Sequence, residues 1–353
     1  MSTKSRRVLQ TLVSVVILVV SVYFAFRGID LDRFIAAFGK ANYWWVIASM
    51  PIVMLSHYMR AMRWTTLLVP LRKGVSVFNS FSAIMIGYMF NNLIPRSGEV
   101  IRAYVFSRRE QFSLSTTFAV VFVERILDVV SLAVLLLLTS SAFRKEIAVA
   151  FPDFSSWIVS FAIVIAVGVI LIVVFLKTPL ASLFLRYVVQ PYSAKWYERL
   201  TNYLENFVRG FAVLSSPGQY LRIFAETVTM WLLYVIPLYL LFFAFDFQSQ
   251  MRLTMFDANV LCVITSLAIA AAPSPGAIGV YHWCAQITLT KFYGIDTETA
   301  LAYATIAHGI GFFVPILGGP FLMMREGMKG FSWRSVAAGA NAEKGVDGKA
   351  GLS

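Results

Sequence analysis

Glu124, Arg125 and Asp128 stand about ten to fourteen residues inside the apolar run Leu114–Ser140. At 1.5 Å per helical residue that is about 15–21 Å deep, near the middle of a hydrocarbon core of about 30 Å. A charge there costs roughly 2.5–3.5 kcal/mol on insertion scales, so three together call for a use or a partner. Glu124 and Asp128 are four apart and share a helix face, while Arg125 and Asp128 are three apart and can pair. The chemistry available is a guanidinium, steadied by two carboxylates, that anchors a lipid phosphate. An ion pair that ties helices together is the alternative. The two carboxylates are also candidate proton carriers.

A second group surrounds the sequence Asn91-Asn92-Leu93-Ile94-Pro95-Arg96-Ser97-Gly98-Glu99. A helix broken at Pro95 and Gly98 restarts with unused backbone N–H groups, which attract anions. Arg96 and Arg102 add the forked donors that fit phosphate, and Glu99 can orient either. Asn92, like Asn91, either contacts a head group or caps the broken helix. Gly276 lies in a second break, Pro273-Ser274-Pro275-Gly276-Ala277-Ile278-Gly279, and His282 and His308 follow it. A buried structural role is the commoner fate of a lone histidine, but the placement of these two near a break makes them candidate ligands. Arg60 follows His57 by three residues and joins the candidate set. Arg63, beside Trp64, reads as snorkelling to the interface, and Arg222 with Glu226 reads as a structural i,i+4 pair.

No residues suggest catalysis in the usual forms. There is no His-Glu-x-x-His, Gly-x-Ser-x-Gly, P-loop or dinucleotide fingerprint. The two cysteines, Cys262 and Cys284, offer neither a metal-ligand spacing nor a disulfide framework. The expectation is a protein without catalytic residues, metal or cofactor.

The elements that must position these groups are written in the composition. Of 353 residues, 59% are hydrophobic and 14% charged, with a mean hydropathy of +0.74. Ordinary soluble domains are about half apolar and about a quarter charged, so a water-soluble enzyme, a disordered chain and a disulfide scaffold are excluded. The fold class expected is an all-α integral membrane protein, with six transmembrane helices and two re-entrant helical hairpins in two inverted repeats. Six runs are long enough to span: Val8–Phe26, Tyr43–Arg63, Leu114–Ser140, Ser156–Leu176, Tyr220–Phe245 and Thr299–Met324. Ser76–Pro95 and Thr254–Pro273 instead end in a Pro/Gly break followed by a short helix (Val100–Arg109 and Val280–Phe292), the pattern of a re-entrant hairpin.

With that topology both termini share a side. The segments on that side hold 22 Lys/Arg, against 7 on the other, and Arg125 completes the 30. The positive-inside rule then puts both termini in the cytoplasm, the membrane being the cytoplasmic (inner) one. The net charge of +12 accordingly favours anionic, phosphate-bearing lipid over nucleic acid as partner, and self-association is left open. Residues 1–330 read as one polytopic domain, and 331–353 as a disordered cytoplasmic tail. Residues 178–218 read either as an interfacial helix, from Trp196, Leu200, Tyr203, Leu204 and Phe207 at helical spacing, or as a plain connector.

The two breaks align, Pro95 with Pro273 and Gly98 with Gly276, and the spans after them place Arg125 near His308. Each half, about 8–140 and 156–325, reads as span, interfacial segment, span, hairpin, span. Three spans per half is odd, so the halves are inverted, as in transporters whose broken helices meet at the midplane.

At these residues the chain resembles the lysylphosphatidylglycerol synthase transmembrane-region family, the flippase-like domain proteins. Pro95-Arg96-Ser97-Gly98-Glu99-x-x-Arg102 resembles the first-half motif of the family and Pro275-Gly276-x-x-Gly279-Val280 its second-half glycine loop. The likeness runs over about 8–328. It implies movement of a polar-headed lipid between leaflets. The soluble aminoacyltransferase domain of some members is not seen here, so lipid aminoacylation is not implied. Where an acidic residue is expected near the end of the second motif, this sequence has His282. The function expected is therefore a flippase for a phosphate-bearing lipid; the alternatives are a membrane enzyme acting on a lipid-linked phosphate and a non-transporting partner subunit.

Overall fold

A computed structural model describes residues 3–142, part of 160–205, and 217–272 and 274–327. The expected span Ser156–Leu176 lies largely outside the described residues, as do Tyr203 and Phe207 of the expected interfacial helix, Pro273 and the tail from 331. Among the described residues every element is helical and there is no strand.

In chain order α1 is Thr3–Phe26, α2 Leu31–Lys40, α3 Tyr43–Leu68, α4 Val77–Leu93, α5 Gly98–Glu110 and α6 Leu114–Ala142. Next among the described residues come α7 (Leu180–Phe184, running into a wider π turn, Leu185–Val189), α8 (Pro217–Ala244) and α9 (Phe247–Gln250). They are followed by α10 (Met255–Ala271), a 3-10 turn (Pro275–Ala277), α11 (Val280–Tyr293) and α12 (Thr297–Arg325). By length and composition α8 and α12 can each cross a bilayer, and α1 and α2 meet at 83°. The α1–α2 bend has a local cause. Gly28 takes a left-handed φ of 76°, and Asp30 then caps α2 by accepting from the Asp32 and Arg33 amides. α3 and α6 are as long, at 26 and 29 residues, but carry the charged residues described below.

The two short apolar helices match. α4 and α10 are each 17 residues long. Both begin at a hydroxyl cap: Ser76 Oγ accepts from the Asn79 amide at 3.3 Å, and Thr254 forms a reciprocal capping box with Asp257. Both stop at a break and resume as helices of 13 and 14 residues.

Tertiary contacts divide the chain into two compact units. One comprises Met1–Met59, Ile84–Glu99 and Val228–Met323; the other comprises Arg60–Ala83, Val100–Thr227 and Met324–Ser353. The first unit is held by an aromatic stack in which the Tyr303 ring lies 5.7 Å from Phe242, 5.7 Å from Phe245 and 5.8 Å from Phe247. The buried Tyr303 hydroxyl donates to the Leu238 carbonyl at 2.6 Å, which satisfies the one polar atom that the stack would otherwise strand. The core of the second unit includes Trp64 and Phe106, with ring centroids 4.5 Å apart.

Candidate functional site

In the second unit α6 turns its two acidic residues onto the end of α3 and onto α5. Glu124 is fully buried, and its Oε1 receives the guanidinium of Arg60 and, at 3.0 Å, that of Arg125. Its Oε2 lies 3.0 Å from Arg102. Asp128 receives Arg63 on Oδ1 at 2.5 Å, and on Oδ2 it receives Arg60 at 2.9 Å and Arg125 at 3.3 Å. Four arginines from three helices thus gather on two carboxylates, and each carboxylate oxygen is engaged. Arg60, Arg63 and Arg102 are buried; the Arg125 side chain is 37% exposed. The arrangement follows from spacing. Arg60 and Arg63 are one turn apart on α3, as are Glu124 and Asp128 on α6, so the two faces zip. Arg102 also lies over the Trp64 ring at 5.3 Å, the stacking that a planar guanidinium permits.

Arg63 corrects the expectation of snorkelling. Its side chain is fully buried and is bonded to Asp128 and, at 3.4 Å, to Thr227. The spacing of three from Arg60 was the signal that it shares the same face. Arg222 pairs with Glu226 at 3.0 Å, and Glu226 accepts from Thr66 at 2.9 Å, a separate contact.

The first unit holds the two breaks. At the first, Asn91 acts as a cap: its Oδ1 accepts from the Gly98 amide at 2.7 Å. Gly98 has no room for a side chain, since a Cβ there would lie 2.6 Å from Asn91. Arg96 sits in the break with a left-handed φ of 62° and is exposed, and Glu99 is half-buried. Asn92 reaches the second break: its Nδ2 donates to the Phe312 carbonyl at 3.1 Å, and its own carbonyl would lie 3.3 Å from a Cβ on Gly276. The ends of α4 and of the 3-10 turn are therefore neighbours.

At the second break Gly276 (φ 57°) and Gly279 (φ 82°) shape the turn. The Gly276 carbonyl meets His308 Nε2 at 2.7 Å, and the Gly279 amide donates to His282 Nδ1 at 3.3 Å. The two imidazoles lie 4.8 Å apart, edge to face. The structure thus joins Gly276, His282 and His308 in one place, and Arg60, Arg102, Glu124, Arg125 and Asp128 in another. Sequence reading missed Arg63 in the arginine cluster and Phe312 beside the histidines. Nothing in the spacing marks Phe312.

Gly276→Ala is expected to cost about 1–3 kcal/mol, because a left-handed φ strains any L side chain and the Phe312 ring stands 2.6 Å from where the methyl would go. A lowered melting temperature of the purified protein checks this.

Among the described residues no group of His, Cys, Asp and Glu is arranged to hold a metal ion.

The chain is 25% identical over 313 residues to the protein named glycosyltransferase AglD of Haloferax volcanii, covering 82% of this chain and 50% of that one. It thus spans half the length of that relative. It is also 23% identical to a UPF0104 membrane protein of Methanothermobacter thermautotrophicus (79% of this chain, 84% of that one). With a UPF0104 membrane protein of Pyrococcus horikoshii the identity is 22% (84% and 91%). The family described as lysylphosphatidylglycerol synthase TM region matches residues 11–319. With a match over that span and apolar helices to suit it, this chain is an integral membrane protein that belongs to the lysylphosphatidylglycerol synthase TM region family.

Proposed function

We propose that the protein is a lipid translocase that moves a phosphate-bearing lipid between the leaflets of the cytoplasmic membrane without changing it covalently. The observation that carries this reading is the cluster of Arg60, Arg63, Arg102 and Arg125 on Glu124 and Asp128. Guanidinium groups in an apolar bundle are expensive, at roughly 2.5–3.5 kcal/mol each at the centre of a span. A purely structural link between α3 and α6 needs one pair, not four arginines. Arg125 keeps over a third of its side chain open while its neighbours are buried, which gives an incoming phosphate one accessible, preoriented fork.

The topology proposed with it has six spans and two re-entrant hairpins in inverted repeats, with both termini cytoplasmic. Its support is the matched geometry of the two halves. At 1.5 Å per residue, α4 and α10 are each about 25 Å long, short of a core of about 30 Å. Each ends at a break and restarts as a shorter helix, and the two breaks touch through Asn92, Gly276 and Phe312. Irregular backbone at membrane depth is tolerated where protein or a wet cavity surrounds it.

The test is leaflet exchange of a fluorescent phospholipid in proteoliposomes, followed by mass spectrometry of that lipid. Exchange with the lipid mass unchanged is expected. Arg102→Ala is expected to slow exchange at least about tenfold, since Glu124, the carboxylate that orients Arg125, loses its guanidinium partner on Oε2, and a contact between charged groups is worth about 1.5–3 kcal/mol. A chemically altered lipid would instead favour a second reading, in which this membrane module serves an enzyme acting on lipid-linked phosphate. That reading draws its support from the relation to the glycosyltransferase AglD. Neither exchange nor alteration, with a partner protein co-purifying, would favour a non-transporting subunit.

A further inference from the structure

We propose that His282 and His308 form a one-proton coupling site, so that the movement of the lipid phosphate is accompanied by a proton; this rests on the translocase reading above.

Both imidazoles are tied to the second break by bonds that define their tautomers. His308 Nε2 faces the Gly276 carbonyl, which can only accept, so the neutral ring carries its proton on Nε2 and leaves Nδ1 as a lone pair. The Gly279 amide can only donate, so His282 Nδ1 is the lone pair and its proton is on Nε2. The pair therefore has one basic nitrogen on each ring, and the rings lie 4.8 Å apart. Two adjacent imidazolium ions repel, so the first proton to bind opposes a second. The site takes one.

Among the described residues the surroundings supply no counter-charge of their own. On α11 the neighbour is Tyr281, whose ring is 5.1 Å from His308. Cys262 of α10 and Tyr303 of α12 interact with Tyr281 in turn. α1 presents Ser21 at Gly279, and α4 presents Asn92 at Gly276. Tyrosine and cysteine at their ordinary values are neutral near pH 7, and among the described residues neither histidine forms an ion pair. An imidazolium here needs an anion, and a phosphate oxygen arriving at the two breaks provides one. The Glu124 and Asp128 carboxylates, candidate proton carriers by sequence, have every oxygen engaged by arginine.

Protonation also has a mechanical consequence. A proton on His282 Nδ1 removes the acceptor that caps the Gly279 amide at the start of α11. A proton on His308 Nδ1 leaves the Gly276 bond in place. The balance is simple: one proton is added to an imidazole nitrogen, the ring gains one positive charge, and the phosphate monoanion offsets it. Release of the lipid on the far side returns the proton to water there.

The experiment uses the full-length chain in proteoliposomes with fluorescent phosphatidylglycerol, whose phosphodiester does not titrate between pH 5.5 and 7.5. Leaflet exchange and the signal of an entrapped pH dye are recorded together under an imposed proton gradient. The variants are His282→Asn, whose Oδ1 can still cap Gly279, and His308→Gln, whose amide can still donate to Gly276. His57→Gln is the control. Expected is an exchange rate that changes at least about fivefold across that pH range in wild type and in His57→Gln, with proton movement alongside the lipid. In the double variant the pH profile flattens and the dye signal is lost. Exchange in wild type that is independent of pH and moves no proton would overturn the coupling and leave the translocase reading standing, as would a double variant with a wild-type pH profile. No exchange at any pH would overturn both.

Discussion

Arg125→Ala is expected to slow lipid exchange about 100-fold while leaving a folded, membrane-inserted protein. Of the four clustered arginines, Arg125 alone is substantially open, with 37% of its side chain exposed. Its removal leaves Arg60 and Arg63 on Asp128, and Arg60 and Arg102 on Glu124, so both carboxylates keep partners. Stability should therefore change little, and activity greatly. A phosphate held by a charge-assisted fork loses about 1.5–3 kcal/mol with it, close to 100-fold at the upper end. Arg125→Lys is the sharper comparison. It keeps the charge but not the planar two-pronged donor, so intermediate exchange is expected if the geometry of the fork matters. Equal exchange by wild type and Arg125→Ala, with equal amounts of protein in the vesicles, would remove Arg125 from the site.

Glu124→Ala is expected to do the reverse and attack stability first. Glu124 is fully buried and receives Arg60, Arg102 and Arg125. Without it Arg102 loses its Glu124 contact, and Asp128 is left facing Arg60, Arg63 and Arg125. Breaking a buried ion pair by deleting one partner costs about 3–5 kcal/mol. A membrane protein of marginal stability would show this as a large fall in melting temperature in mild detergent, or as loss of the monodisperse species. Glu124→Gln keeps the shape and still removes the charge, so it should fall between the two. A Glu124→Ala protein as heat-stable as wild type would mean that the cluster is more hydrated than its burial implies.

The chemistry of α6 was legible from the chain because helical spacing is local: Glu124, Arg125 and Asp128 share a face whatever packs against them. The partners from α3 were half legible. Arg60 and Arg63 repeat by three, but whether an arginine near a span end reaches out to head groups or inward to a carboxylate is decided by the helix opposite. Arg63 therefore went to the wrong side on sequence alone, and its bond to Asp128 corrects it. Arg102 was marked by the break that precedes it, not by any sign of Trp64 or Glu124. Both breaks were readable because proline and glycine punctuate an apolar run. Their contact through Asn92 and Phe312 was not, since it joins residues 220 apart in the chain. The two compact units were not legible either: each is assembled from segments of both halves of the chain, and periodicity says nothing of which distant faces meet. The proximity of His282 and His308 sits between these cases. They were placed near one break by alignment of the halves, and the 25 residues between them gave no hint that the rings would lie 4.8 Å apart.

The most direct test of the arginine cluster as a lipid-phosphate site is a density map of the full-length protein in lipid nanodiscs made with phosphatidylglycerol. Expected is a head-group phosphate whose oxygens lie about 3 Å from the Arg125 guanidinium, with an acyl chain leading from it into the bilayer. Arg125 closed onto Glu124 and Asp128 beneath packed hydrocarbon, with no phosphate near it in any particle class, would contradict it.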